Sequence, residues 1–374
     1  MGRPSQTSLK IFTVFLSLTL CALLLEGALW FFPVRSYIPF QPVTPDSPVV
    51  RYEPHKTYDY SLGWDFRGVN HGRTNAQGFV SDFDYQMDDT RPLIAVIGDS
   101  FIEGMMVPFK DTVQEHLHKD LDDKFRVYNF AIGGSPLSEY LAFAEYARDN
   151  YHPGFVIVNV VLNDFDESLP EYKNKPRFQY FVADDAGNLT PQLIADYHPS
   201  LIKELLSRSA LVRYLYFHLY ISNIFNRIDF AVRQDKVKTP AAGLTKSKES
   251  PDDRKTELSK LATDAFLRLL PQRSGLSKNR ILIVVDGVRD GIYSGTVNEK
   301  MKKTLFGNMR TYLINNARQQ GFEVLDLQPV FEKHYAEHGQ IFDFGTDAHW
   351  NALAHGIVAQ EIEKTKGFQS FISR

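Results

Sequence analysis

Residues 93–104 read LIAVIGDSFIEG, and this stretch decides the fold. Its first five residues are apolar and mostly β-branched, and Gly98 ends the run, as is typical of a buried parallel strand. Ser100 then follows the carboxyl end of a strand, where open α/β sheets bind their ligands. We therefore predict that Ser100 is a nucleophile. The alternative is a simple strand–turn–helix junction, in which Asp99 or Ser100 caps the helix.

The rest of the chain repeats this alternation of strand and helix. Apolar runs predict four further strands, at residues 126–132, 155–162, 280–285 and 323–327. Helical spacing of apolar residues lies between them. Strands that alternate with helices pair in parallel through crossover connections, so the sequence predicts an α/β fold around one parallel sheet.

Charge and cysteine content exclude several classes of protein. The formal net charge is only −3 over 374 residues, and there is no block of basic residues. We therefore expect no nucleic-acid partner. The single cysteine, Cys21, lies inside an apolar N-terminal run, so we expect neither an intrachain disulfide nor a metal site made of cysteines.

The N-terminal run at residues 11–32 has the length of a membrane span, for which about 20 residues are needed. Glu26 interrupts it, and Arg3 and Lys10 precede it. The positive-inside rule places residues 1–10 in the cytoplasm. We predict a single-pass membrane protein whose catalytic domain is periplasmic or extracellular. The alternative is a cleaved signal peptide, which also exports the body of the protein.

Beyond the anchor, the prolines of residues 33–60 predict an extended linker. Residues 61–366 then form the folded domain, with a helical insert at 170–279. Within the insert, the apolar and aromatic segment 201–228 contains charged residues that argue against a second span. It predicts a pair of helices on the core or over the crevice, and a membrane-surface role is the alternative. Residues 236–255 predict a mobile loop.

Polar residues and glycines follow three other predicted strands. Because parallel strands end on the same side of a sheet, we expect these residues to converge on Ser100. Acyl transfer through serine requires a nucleophile, a base, a group that orients the base and donors for the oxyanion. Together with Ser100 as the nucleophile, the set can supply all four, and its members are Gly133, Gly134, Asn163, Asp347 and His349.

These residues resemble the conserved blocks of the SGNH (GDSL-type) hydrolases. Gly98-Asp99-Ser100-Phe101 is similar to the first block of that superfamily. Three later segments are similar to its other blocks, at residues 129–134, 163–164 and 347–351. The last segment reads DAHWN, a form that appears in family members that act on surface polysaccharides, as O-acetylesterases or O-acetyltransferases. The chain thus resembles a membrane-anchored bacterial member of this kind.

The resemblance implies a three-layer α/β/α sandwich of the flavodoxin-like kind, with about five parallel strands in the order 2-1-3-4-5. It also implies that Ser100 attacks an ester carbonyl, that His349 acts as the base and that Asp347 orients it. The Ser100 N–H, the Gly134 N–H and the Asn163 amide would form the oxyanion hole. No metal and no cofactor are implied.

Alternatives remain open for several of these roles. His355 is a second candidate base, Asp343 a second orienting acid, and Asn163 has the alternative role of capping a turn. The expected function is a serine esterase or acyltransferase that acts through an acyl-serine, on O-acetyl groups of a surface or secreted glycan. The alternatives are a lipid or lysophospholipid esterase, and a non-catalytic, membrane-tethered protein that binds or assembles glycans.

Overall fold

A computed structural model describes residues 6–219, 221, 251–345 and 347–373. Three parts of the sequence-based prediction lie outside the described residues. These are the N-terminal flank with Arg3, the end of the apolar segment at 222–228, and most of the predicted loop, at 236–250.

The strands confirm the predicted sheet. In chain order they are β1 (Thr57–Leu62), β2 (Arg67–Arg73), β3 (Leu93–Gly98), β4 (Arg126–Ala131), β5 (Phe155–Val160), β6 (Gln179–Ala183), β7 (Leu189–Leu193), β8 (Ile281–Val285) and β9 (Glu323–Asp326). The central sheet is parallel, with the order β4-β3-β5-β8-β9, which is the predicted order 2-1-3-4-5. β1–β2 and β6–β7 are separate antiparallel hairpins.

Helices connect and cover these strands. In chain order they are α1 (Gln6–Leu29), α2 (Ser100–Glu103), α3 (Val113–Asp120), α4 (Leu137–Tyr151), α5 (Leu201–Ser207), α6 (Ala210–Phe217), α7 (Pro251–Ser274), α8 (Arg289–Ser294), α9 (Val297–Lys303), α10 (Leu305–Gln319), α11 (Leu327–His338), α12 (Ala352–Glu363) and α13 (Lys366–Ile372). α1 is long and apolar enough to cross a membrane.

Apolar residues on both faces of the sheet produce the three layers. β3 is buried along its whole length, and its successive side chains point to opposite faces. Ala95 and Ile97 belong to the core under α4, α7 and α10. Ile94 and Val96 belong to the core under α3 and α11 to α13. The chain is therefore a three-layer α/β/α sandwich, as the sequence predicts.

Residues 33–60 differ from the predicted extended linker, because most of this segment packs on the domain. Val34, Val43 and Val50 are each at most 2% exposed. Proline fixes the backbone of this segment but does not prevent the apolar side chains between the prolines from reaching the core. From Thr57 onward, the same segment forms β1.

The insert at residues 170–279 is also not purely helical, because it begins with the hairpin β6–β7. The Asp184 carboxylate accepts the N–H groups of Ala186 and Asn188 in the turn. Gly187 supplies the positive φ of 83° that the turn requires. This Asp-x-x-Gly-Asn sequence is a turn signal that predicts a hairpin. α5, α6 and α7 then follow.

Candidate active site

Ser100 lies at the turn between β3 and α2. The Asp99 carboxylate accepts the N–H of Phe101 at 3.0 Å and caps the helix, which leaves Ser100 as the first helical residue. A Cβ at Gly98 would lie 2.6 Å from the Cγ1 of Ile102, so the sharp turn requires glycine. The capping role therefore falls to Asp99, and the partly exposed Ser100 hydroxyl faces the rim of the sheet.

Three side chains form a hydrogen-bonded series at this rim. His349 Nε2 lies 2.7 Å from Ser100 Oγ, and His349 Nδ1 lies 2.5 Å from Asp347 Oδ1. Because the carboxylate only accepts, Nδ1 carries the proton and Nε2 of the neutral ring accepts from the serine. Ser100 and His349 are 249 positions apart in sequence, and the fold brings them into direct contact.

Asp347 is held by groups from both ends of the chain. Its Oδ2 accepts the hydroxyl of Tyr60 on β1 at 3.2 Å. Burial alone would raise the pKa of Asp347, but the hydrogen bonds and charge of His349, together with Tyr60, hold it below its usual value. The carboxyl therefore stays ionised beside the imidazole.

The loop after β4 presents one free donor beside Ser100. The Gly133 N–H donates to Glu103 Oε1 at 3.0 Å, so it is not available to a substrate. A Cβ at Gly133 would lie 3.6 Å from the Cβ of Ser100, which shows how close the loop comes. The N–H groups of Gly134 and Ser100 have no hydrogen-bond acceptor among the described residues. Of the two glycines, Gly134 is therefore the one with a donor to offer.

Asn163 follows β5 and is tied to the same loop by two charged side chains. Its Nδ2 donates to Glu167 at 2.8 Å. Glu167 pairs with Lys173, whose ammonium donates to the carbonyl of Gly134 at 2.6 Å. A side-chain amide has two hydrogens, so one of them remains for a second acceptor.

The structure separates the two alternative residues from Ser100. Asp343 pairs with Arg289 at 3.2 Å and accepts the N–H of Gly345, rather than contacting His349. His355 is fully buried and accepts the N–H of Val113 through Nδ1. Among the described residues, neither has a hydrogen bond to Ser100, His349 or Asp347.

Sequence reasoning missed a buried cluster behind His349. Asp286 follows β8, and its carboxylate accepts the indole N–H of Trp350 at 3.1 Å and an N–H of Arg289 at 3.1 Å. Arg289 also donates to the carbonyl of Ala348 and so fixes the loop that carries His349. Asp286 ends a central strand, so the rule that located Asn163 could have located it too.

Glu103 is a second residue that the sequence did not single out. It is buried beneath the site, where it accepts the hydroxyl of Tyr52 and the N–H of Gly133. Burial raises the pKa of Glu103 from its ordinary value of 4.5 to about 7, although these hydrogen bonds oppose the shift. A carboxyl with a raised pKa in the folded state favours folding most when it is neutral.

We expect the Glu103→Gln variant to lose part of the pH dependence of stability. The contribution of the neutral carboxyl is fully present below pH 4.5 and is lost as the pH rises through about 7. The wild type should therefore lose on the order of 3 kcal/mol of unfolding free energy relative to the variant over that range. Urea unfolding of both full-length proteins at several pH values measures this difference. Parallel curves would contradict it.

A serine, a histidine and an aspartate in hydrogen-bonded series, at the rim of a parallel α/β sheet, form an arrangement that serine hydrolases use for acyl transfer. The sequence matches the family model described as GDSL-like Lipase/Acylhydrolase over residues 94–362. The chain therefore belongs to the GDSL-like lipase/acylhydrolase family, as the resemblance to SGNH hydrolases predicts, and it is an ester hydrolase.

Solved structures with similar folds include three enzymes. An α/β hydrolase from the metagenome of Lake Arreo, Spain, has 12% identity and a TM-score of 0.38, covering 74% of this chain and 95% of its own. A lipase from a goat rumen metagenome has 11% identity and a TM-score of 0.38, and the match covers 73% of this chain and 96% of the lipase. An acetyl xylan esterase has 12% identity and a TM-score of 0.35, and the match covers 72% of this chain and 97% of the esterase. Comparison with curated proteins gives no match.

Proposed function

We propose that the protein cleaves or transfers O-acyl groups through an acyl-serine on Ser100. The series of hydrogen bonds through His349 to Asp347 is the observation that carries this proposal. As the serine oxygen bonds to the ester carbonyl carbon, its proton passes to His349 Nε2. The ionised Asp347 stabilises the imidazolium that forms.

The oxygen of the tetrahedral intermediate needs donors at the same rim. The N–H groups of Ser100 and Gly134, which have no acceptor in the described part of the chain, and the remaining amide hydrogen of Asn163 are suited to this role. His349 then gives its proton to the leaving alcohol. The alcohol departs, and the acyl group remains bound to Ser100 as an ester. Water releases a carboxylic acid from this ester, whereas a sugar hydroxyl in its place takes up the acyl group.

We infer that the acyl group is acetyl on a surface or secreted glycan. The DAHWN sequence around His349 supports this inference, because it resembles members that act on polysaccharides. We also infer that α1 is a membrane anchor and that the domain is exported. The length and apolar character of α1 support this inference, together with the basic residues that precede the apolar run at 11–32.

Acetate release from acetylated oligosaccharides by the full-length protein tests this function. We expect turnover on these substrates and on p-nitrophenyl acetate, and much slower turnover on long-chain esters. Addition of an unacetylated oligosaccharide separates a transferase, which acetylates it, from an esterase. A fluorophosphonate probe should label Ser100, and labelling of a different serine alone would contradict the mechanism.

A lipid or lysophospholipid esterase is the second candidate. The apolar side chains that α5 exposes favour it, since such a surface lies close to lipid in an anchored protein. Faster turnover of lysophospholipid than of any acetylated sugar would identify this activity instead.

A further inference from the structure

Glu26 is the one charged residue in the apolar run at residues 11–32. The structure shows what it binds. Its carboxylate accepts the hydroxyl of Ser209 at 2.7 Å and the N–H groups of Ala210 and Leu211 at 2.9 and 2.8 Å. These N–H groups belong to the first turn of α6, which has no partners for them within the helix. Glu26 therefore fixes the start of α6 to the last turns of α1.

The helix just before this junction, α5, exposes an apolar stripe. Four of its residues, at positions i, i+1, i+4 and i+5 of the helix, are between 50% and 82% exposed, whereas its charged residues lie at the positions between them. The four are Leu201, Ile202, Leu205 and Leu206. This spacing puts them along one side of the helix. Contiguous apolar surface of this kind marks a site of contact with a protein or a membrane.

Exposed aromatic residues surround the same junction. Trp30, Phe31 and Phe32 directly follow α1 and are exposed. Trp64, 68% exposed, lies in the turn of the β1–β2 hairpin, and its carbonyl accepts the hydroxyl of Tyr214 on α6. Tryptophan and tyrosine concentrate where lipid tails meet the headgroups.

We propose that α5 and the turn at Trp64 form a second contact with the bilayer that α1 crosses, lying in its interface. This proposal rests on the proposed anchoring role of α1. The bilayer is the occupant that the structure favours, because Glu26 holds α6 and the adjoining α5 at the end of α1. A helix with one apolar side and low overall hydrophobicity lies along the interface rather than across the membrane.

This contact would orient the active site toward the membrane. Arg35 follows α1 by six residues, and its guanidinium lies 4.4 Å from the centroid of the Tyr60 ring. The hydroxyl of Tyr60 in turn bonds to Asp347. These contacts link the segment that follows α1 to the rim that carries Ser100.

Fluorophore labelling of the full-length protein in phosphatidylcholine nanodiscs tests the contact. The native Cys21, exposed on α1, reports whether that helix is in lipid. In a Cys21→Ser background, Leu205→Cys or Ile202→Cys reports on α5. The matched control is Met87→Cys, because Met87 is 56% exposed. Met87 follows Gln86, whose carbonyl accepts a hydrogen bond from Arg126, the first residue of β4, at the end of the sheet opposite to Ser100.

We expect nitroxide-bearing lipids to quench labels at positions 21, 202 and 205 several-fold more than the label at position 87. Iodide in the aqueous phase should show the reverse order. Quenching at position 21 but not at 202 and 205 would overturn the second contact and leave the anchor intact. Equal quenching at 87 and 205 would overturn it as well, and the absence of lipid quenching at all positions would overturn both proposals. Hydrolysis of p-nitrophenyl acetate tests the catalytic proposal separately.

Discussion

Replacement of Ser100 by alanine is expected to lower kcat/KM for p-nitrophenyl acetate by about 10⁴- to 10⁶-fold, because no acyl-enzyme can form without the hydroxyl. The oxyanion donors and the binding surface remain, so a small residual rate above that of water should persist. Alanine at the first position of α2 preserves the cap, which is the side chain of Asp99 rather than that of Ser100. The variant should therefore fold like the wild type.

Ser294→Ala is the matched control for this loss. Ser294 lies at the end of α8, and its hydroxyl donates to the backbone carbonyl of Asp290. We expect it to keep wild-type turnover. If Ser100→Ala retained activity within about tenfold of the wild type while folded, the nucleophile would have to be another residue. Circular dichroism of both variants in detergent checks the fold.

The central sheet was predictable because its strands depend on local composition. β3 and β5 are short apolar runs, buried on both faces, and such runs are typical of strands in parallel sheets. The edge of the sheet that carries the site could be predicted from the parallel topology, since residues that follow parallel strands must share one edge. That argument covers the residues after β3, β4 and β5. α11 separates Asp347 and His349 from β9, so their contact with Ser100 depends on the loop after that helix.

Features set by long-range packing were not predictable in the same way. Tyr60 reaches Asp347 from 287 positions away, and no local pattern indicates that contact. Glu103 is buried by the loop at Gly133 and the segment at Tyr52, and no local pattern indicates those contacts either. The proline-rich segment was misread for a related reason, because the surface that its valines cover is assembled from distant parts of the chain.

The Asp347→Asn variant is expected to lower kcat by about 10³- to 10⁴-fold with little change in stability. The side chain keeps its size, but its amide can donate to His349 Nδ1. That exchange favours the tautomer with a proton on Nε2, which cannot accept the proton of Ser100. The measurement is kcat of the full-length protein on p-nitrophenyl acetate, with urea unfolding to show that the fold is kept.

Two further variants test whether Asp347 acts as the structure suggests. Tyr60→Phe removes one hydrogen bond from its carboxylate and leaves the bond to His349, so kcat should fall by only about tenfold. Asp343→Asn alters the carboxylate that pairs with Arg289, and we expect a smaller loss of kcat than for Asp347→Asn. If Asp343→Asn were instead the more damaging change in a folded protein, Asp343 would be the orienting acid. We expect Asp347→Asn to cause the larger loss of kcat, because of the two carboxylates it is Asp347 that bonds directly to His349, at 2.5 Å.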